Sequence, residues 1–144
     1  MIALDTNILV HARRREARHH VAAKSLLCRL VEGDQTWALP WPCVYEYLRV
    51  VTHPRLFRPP SGLVPVLDDL NFVLASPSVI PLGEGPAHFK HLQRMATAAD
   101  AHSNLAFDAH IAALVVEHGV DELWTLDRDF SRFPGVRTRN PFAR

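Results

Sequence analysis

Carboxylates are the side chains in this sequence with the strongest claim to chemistry. Asp5 follows the apolar run "IAL", Asp127 sits in "TLDRDF", Glu46 lies in "WPCVYEYLRVVTHP" and Asp108 in "NLAFDAHIAALVVEH". Each has an ordinary explanation alone: Asp caps helices, and acids near helix N-termini complement the macrodipole. Together they have another. Carboxylates gathered without a counter-charge repel, and some take up protons. A hard divalent cation such as Mg²⁺ or Mn²⁺ relieves this, because it takes oxygen ligands from a few carboxylates and keeps several waters. Such a site stabilises phosphoryl charge and activates water, which points to phosphodiester hydrolysis. A histidine-based zinc site is not expected: the nine histidines are scattered, and His19–His20 and His88/His91 lack a third and fourth ligand.

The elements that must position these acids alternate. Strands are expected at 2–5, 36–40, 78–82 and 122–127, with a shorter edge strand at 135–140. Helices are expected from residue 8, with a break, to Gly33, then from Pro42 to His53, over 63–75, from about Pro86 to Ala99, and over about 105–118. In the second helical stretch Val21, Leu27, Leu30 and Val31 form the expected apolar stripe. Strand–helix alternation predicts right-handed crossovers and a parallel sheet covered on both faces. The crevice beyond the strand C-termini is then the place to look for function. Asp5 and Asp127 are read as ending two strands, and helices that follow strands begin at the same rim. Asp108 shares a helix face with Ala112 and Val115, so it points inward. Glu46 lies similarly between Cys43 and Val50.

Composition bounds the rest. A chain of 144 residues, 48% of them apolar, is read as one globular domain spanning 1–144. The net charge of +1 excludes a polycation, and lysine occurs only at Lys24 and Lys90. Arginine suits bidentate phosphate pairing, although codon usage in a GC-rich genome explains its excess equally well. Two cysteines without metal-ligand spacing fit a reduced cytoplasmic protein. Met1 leads straight into a strand, with no leader and no run of membrane-spanning length.

Taken in order, "ALDTNILVH", "WPCVYEYLRVVTHP" and "NLAFDAHIAALVVEHGVDELWTLDRDFSRFPGVRTRNPF" resemble a PIN-domain nuclease, more narrowly a VapC-type toxin of a bacterial toxin–antitoxin pair. The resemblance covers essentially the whole chain. It implies an α/β/α sandwich around a parallel sheet and Mg²⁺- or Mn²⁺-dependent endonucleolytic cleavage of tRNA or ribosomal RNA. It also implies a VapB-type antitoxin partner and a homodimer. The family's metal-binding acids fall on Asp5, Glu46, Asp108 and Asp127. Asp129 matches a further acidic position. Thr6 and Thr125 match hydroxyls that orient the carboxylates, and Asn7 matches the small polar residue that begins the first helix.

The basic run "HARRREARHH", with Arg13, Arg14 and Arg15, reads as a solvated surface or as a contact for RNA phosphates or the antitoxin. His88, Lys90, His91 and Arg94 form a weaker basic patch. Trp37, Trp41 and Trp124 are expected in core packing. A housekeeping RNA-processing nuclease is the nearest alternative. An aspartyl-nucleophile phosphatase would want an Asp where Asn7 stands. A receiver-like module would need a late lysine, and none follows Lys90.

Overall fold

The computed structural model describes residues 1–144. Five strands are present: β1 (Ile2–Leu4), β2 (Trp37–Pro40), β3 (Val79–Leu82), β4 (Glu122–Trp124) and β5 (Thr138–Arg139). Six helices accompany them: α1 (Thr6–Arg13), α2 (His20–Glu32), α3 (Trp41–Val51), α4 (Leu63–Leu74), α5 (His88–Ala99) and α6 (Asn104–Glu117). A short 3-10 turn runs from Arg128 to Arg132.

All strand pairs are parallel, in the order β3-β2-β1-β4-β5. The chain builds outward from β1 to β2 and β3, then returns past β1 to place β4 and β5 on its other side. Strand order therefore reverses between β1 and β4. The C-terminal ends of those two strands form the switch point, where open α/β sheets bind their ligands. β1 is in register with β4 through Ile2–Glu122, Ala3–Leu123 and Leu4–Trp124. The Asp5 N–H extends that ladder, donating to the Trp124 carbonyl at 3.1 Å.

The sheet is short but deeply covered. Every residue of β2 is buried. The Trp37 indole lies in the core and donates to the Leu30 carbonyl and the Ser78 hydroxyl, each at 3.1 Å. Trp41 and Trp124 are only partly buried. α6 is the central helix: Ala109, Ile111, Ala112, Ala113, Leu114 and Val115 are all buried. A helix apolar on most of its circumference has to lie inside, and its alanines allow neighbours to approach closely.

Several local expectations change. β4 ends at Trp124, so Asp127 lies beyond the strand and caps the 3-10 turn instead. The expected break falls inside the basic run: α1 stops at Arg13, and α2 begins at His20. Val21 lies in the first turn of α2 and is 80% exposed, while Ala23, Leu26, Leu30 and Val31 carry the buried face. Ser103 occupies the N-cap position of α6 with φ +53° but makes no side-chain capping bond, and Asn104 is the first helical residue.

Candidate active site

Asp5 is the first residue after β1 and the N-cap of α1. Its side chain is only 4% exposed. Oδ1 accepts the Thr6 N–H at 2.7 Å, and Oδ2 accepts the Asn7 amide at 2.7 Å and the Thr125 hydroxyl at 2.6 Å. The two strong donors fill both lone-pair directions of Oδ2. Oδ1 keeps one strong partner and the weak Cys43 thiol, 3.9 Å away. Oδ1 is thus the oxygen with room for another ligand.

Asn7 is inside α1 rather than capping it, and it works as a three-way brace. Its Nδ2 donates to Asp5 and, at 3.1 Å, to Thr125, while its Oδ1 accepts the Leu126 N–H at 3.2 Å. The position that an aspartyl-nucleophile phosphatase would fill with an acid therefore holds an amide fixed to its neighbours. Thr125 is equally committed: its hydroxyl donates to Asp5 and accepts from Asn7 and from the Asp127 N–H at 2.9 Å.

The second turn of α3 brings in Glu46, whose Oε2 accepts the Thr6 hydroxyl at 2.9 Å. The segment after β4 brings in Asp127, whose Oδ1 accepts the Asp129 N–H at 2.8 Å. Asp108 enters from the second turn of α6. It is half-buried above the buried Ala112 and Val115 and makes no hydrogen bond or ion pair.

Electrostatics show that these acids share one neighbourhood. Burial pushes the Asp5 carboxyl up to about 6; bonds from Thr125 and Thr6 restrain the rise, and the charges of Glu46 and Asp127 add to it. Burial also raises Asp108, to about 7, with further pushes from Asp127, Asp5, Glu46 and Asp129. None of Asp5, Glu46, Asp108 or Asp127 is in an ion pair with a basic side chain. Asp129 is exposed at the margin, 3.7 Å from Arg132. Concentrated negative charge, hard oxygen donors and no internal cation fit a divalent metal ion.

The basic residues stand elsewhere and are partly structural. Arg13 pairs with Asp69 at 3.2 Å. Arg14 bonds Glu16, the Ser61 hydroxyl and the Pro59 carbonyl, and lies over the Phe57 ring at 4.4 Å. It therefore pins the loop before α4. Arg15 is exposed and unpaired. These arginines line a cleft of about 600 Å³ together with His20, Lys24 and Asp69.

The histidines are less scattered than their sequence positions suggest. His88 is buried against Glu117, so it drops out of the expected basic patch, and His110 bonds Glu84. Glu84, His88 and His110 each bring a ligating atom within 4.8 Å of the others. His88 thus has two companions that its spacing from His91 did not suggest, one from the loop after β3 and one from α6. One signal was available: His110 and Glu117, seven residues apart, share a face of a helix.

Residues 2–136 match the PIN domain family model. The chain is 37% identical over 139 residues to Ribonuclease VapC48 of Mycobacterium tuberculosis, covering 96% of each chain. It is 34% identical over 141 residues to Ribonuclease VapC43 of the same organism, covering 98% of this chain and 95% of that one. Among solved structures it resembles VapC20 of Mycobacterium tuberculosis, described as a Sarcin-Ricin loop cleaving toxin. That match has a TM-score of 0.67 and 17% identity, and covers 95% of this chain and 99% of that one. It also resembles VapBC2 of Rickettsia felis bound to promoter DNA, with a TM-score of 0.67 and 19% identity over 96% and 98% of the two chains. A parallel sheet with carboxylates at its switch point, joined to full-length likeness, leads to one conclusion: this chain belongs to the PIN-domain family, among the VapC ribonucleases.

Proposed function

We propose that this protein is the toxin of a toxin–antitoxin pair and cleaves structured RNA, tRNA or ribosomal RNA, at phosphodiester bonds using Mg²⁺. Mn²⁺ is the substitute ion. The observation that carries the reading is the uncompensated charge at the switch point, with Asp5 and Asp108 both raised by burial and pushed further by their acidic neighbours. Asp5, Glu46, Asp108 and Asp127 hold the ion, and Asp129 adds negative charge at the rim. Bound there, the ion neutralises charge on the scissile phosphate and activates water for in-line attack.

The protein's own groups do the positioning. Thr125 and Asn7 fix Asp5 Oδ2 and leave Oδ1 to the ion. Thr6 turns Glu46 toward the rim, and the Asp129 N–H holds Asp127 Oδ1, leaving Oδ2 available. The likeness to PIN-domain nucleases implies that water displaces the 3′ oxygen, which leaves a 5′ phosphate on the downstream fragment.

A small VapB-type antitoxin restrains the enzyme, as the solved VapBC assembly of Rickettsia felis suggests. The cleft beside Arg15 and Lys24 suits phosphates or an acidic antitoxin segment. α4 exposes Leu63, Val64 and Leu67, an apolar patch suited to a second copy or the antitoxin. No helix is long and apolar enough to cross a membrane. Mapping new 5′ ends in cellular RNA after induced expression tests the reading. New ends at a few tRNA or ribosomal RNA sites, absent with Asp5→Asn, support it. Identical ends with Asp5→Asn overturn it.

A further inference from the structure

We propose that Glu84, His88 and His110 bind one Zn²⁺ ion at a site separate from the acidic rim, with Glu117 holding His88 from behind. The site joins the loop after β3 and the first turn of α5 to α6. Its donors are already close: His110 Nε2 lies 2.8 Å from Glu84 Oε1, and the three ligating atoms fall within 4.8 Å of one another. In a tetrahedral zinc site with bonds near 2.0–2.1 Å, donor atoms stand about 3.3 Å apart. Small side-chain adjustments close the remaining gap.

The second observation concerns the orientation of His88. Its Nδ1 lies 3.1 Å from Glu117 Oε2, and the two side chains are 11% and 8% exposed. A carboxylate accepts, so a neutral His88 facing Glu117 carries its proton on Nδ1 and its lone pair on Nε2. Nε2 has no partner in the protein. Carboxylate behind, imidazole in front and a free nitrogen lone pair is the arrangement that orients histidine ligands in zinc sites. Gly85 leaves room for that carboxylate, because a Cβ there would crowd Glu117 Oε1. The His88 and His110 rings meet edge to face with centroids 5.1 Å apart.

The donor set favours a borderline first-row ion such as Zn²⁺ over a hard one. Two imidazoles and one carboxylate suit Zn²⁺, whereas Mg²⁺ favours oxygen ligands alone. Glu84 is more than half exposed, so water completes the fourth position. The two sites do not merge: His110 and Asp108, two residues apart on α6, point about 200° apart around the helix. Zinc here clamps α5 against the helix that carries Asp108.

Zn²⁺ titrated into the untagged full chain against a chromophoric chelator, in millimolar Mg²⁺ to fill the rim, tests the proposal. The expected result is a zinc equivalent that Asp5→Asn retains. Glu84→Gln and His110→Asn, at partly exposed positions, weaken it at least about tenfold, and Glu117→Gln by about 10–100-fold. Circular dichroism and metal-free melting confirm that each variant is folded. Affinity within about twofold of the wild type in both Glu84→Gln and His110→Asn overturns the proposal. Loss of zinc on Asp5→Asn also overturns it, because the ion would then belong to the acidic rim.

Discussion

Thr125 donates its hydroxyl to Asp5 Oδ2 at 2.6 Å, joining residues 120 positions apart across the junction of β1 and β4. The same hydroxyl accepts from Asn7 and from the Asp127 N–H, so one oxygen registers three parts of the site. Thr125→Val keeps the shape and removes the bond. It frees Asp5 Oδ2 to turn and strands two donors. Cleavage falls about 10–100-fold, and stability drops by about 1–3 kcal/mol. Parallel cleavage rates and urea unfolding check both effects.

The acids make the metal-free fold sensitive to pH in an unusual direction. Asp5 is raised from 3.8 to about 6 and Asp108 from 3.8 to about 7. Across that window the native state holds more protons than the unfolded chain, so stability falls as pH rises. Asp5, deeply buried, accounts for about 3 kcal/mol, while half-exposed Asp108 adds less than its shift implies. Melting in chelator is therefore higher at pH 5 than at pH 8. Saturating Mg²⁺ removes most of the difference.

Asp5→Asn separates folding from chemistry. Asn is as good an N-cap as Asp, so α1 keeps its start. The buried charge disappears. The metal-free variant melts a few degrees above the wild type at pH 8 while its cleavage is lost. Calorimetry with and without Mg²⁺ reads both: the wild type gains stability with the ion, and the variant gains little.

Neighbouring arginines divide their work. Arg14→Ala releases Ser61, Pro59 and Phe57 from one guanidinium and costs about 1–3 kcal/mol. Arg15→Ala leaves melting unchanged but weakens RNA or antitoxin binding and flattens its salt dependence. Denaturation curves and binding at two salt concentrations distinguish them.

Strand–helix alternation and Pro, Gly and acid placement made the sheet, the helices and the convergence of the acids legible in the sequence. Asp108 was the clearest case, because buried Ala112 and Val115 betray its inward face. What sequence periodicity left hidden depends on tertiary contacts. Val21 fits an apolar pattern yet points outward, since the partners of α2 lie along Ala23, Leu26 and Leu30. β4 stops at Trp124, and Asp127, three residues on, caps a turn. Asn7 had the look of a cap, but Asp5 took that role and left the amide free to brace the far strand. The grouping of Glu84, His88, His110 and Glu117 needs two elements packed together, which spacing alone does not reveal.

If the acidic switch point holds a divalent ion for RNA cleavage, initial rates of purified wild type and Asp108→Asn on tRNA and ribosomal RNA, with Mg²⁺ and with chelator, reveal it. The expected result is cleavage by the wild type in Mg²⁺ alone, with 5′-phosphate ends, and a loss of more than about 100-fold in a folded Asp108→Asn. Equal cleavage in chelator, or by Asp108→Asn, overturns the metal-dependent mechanism.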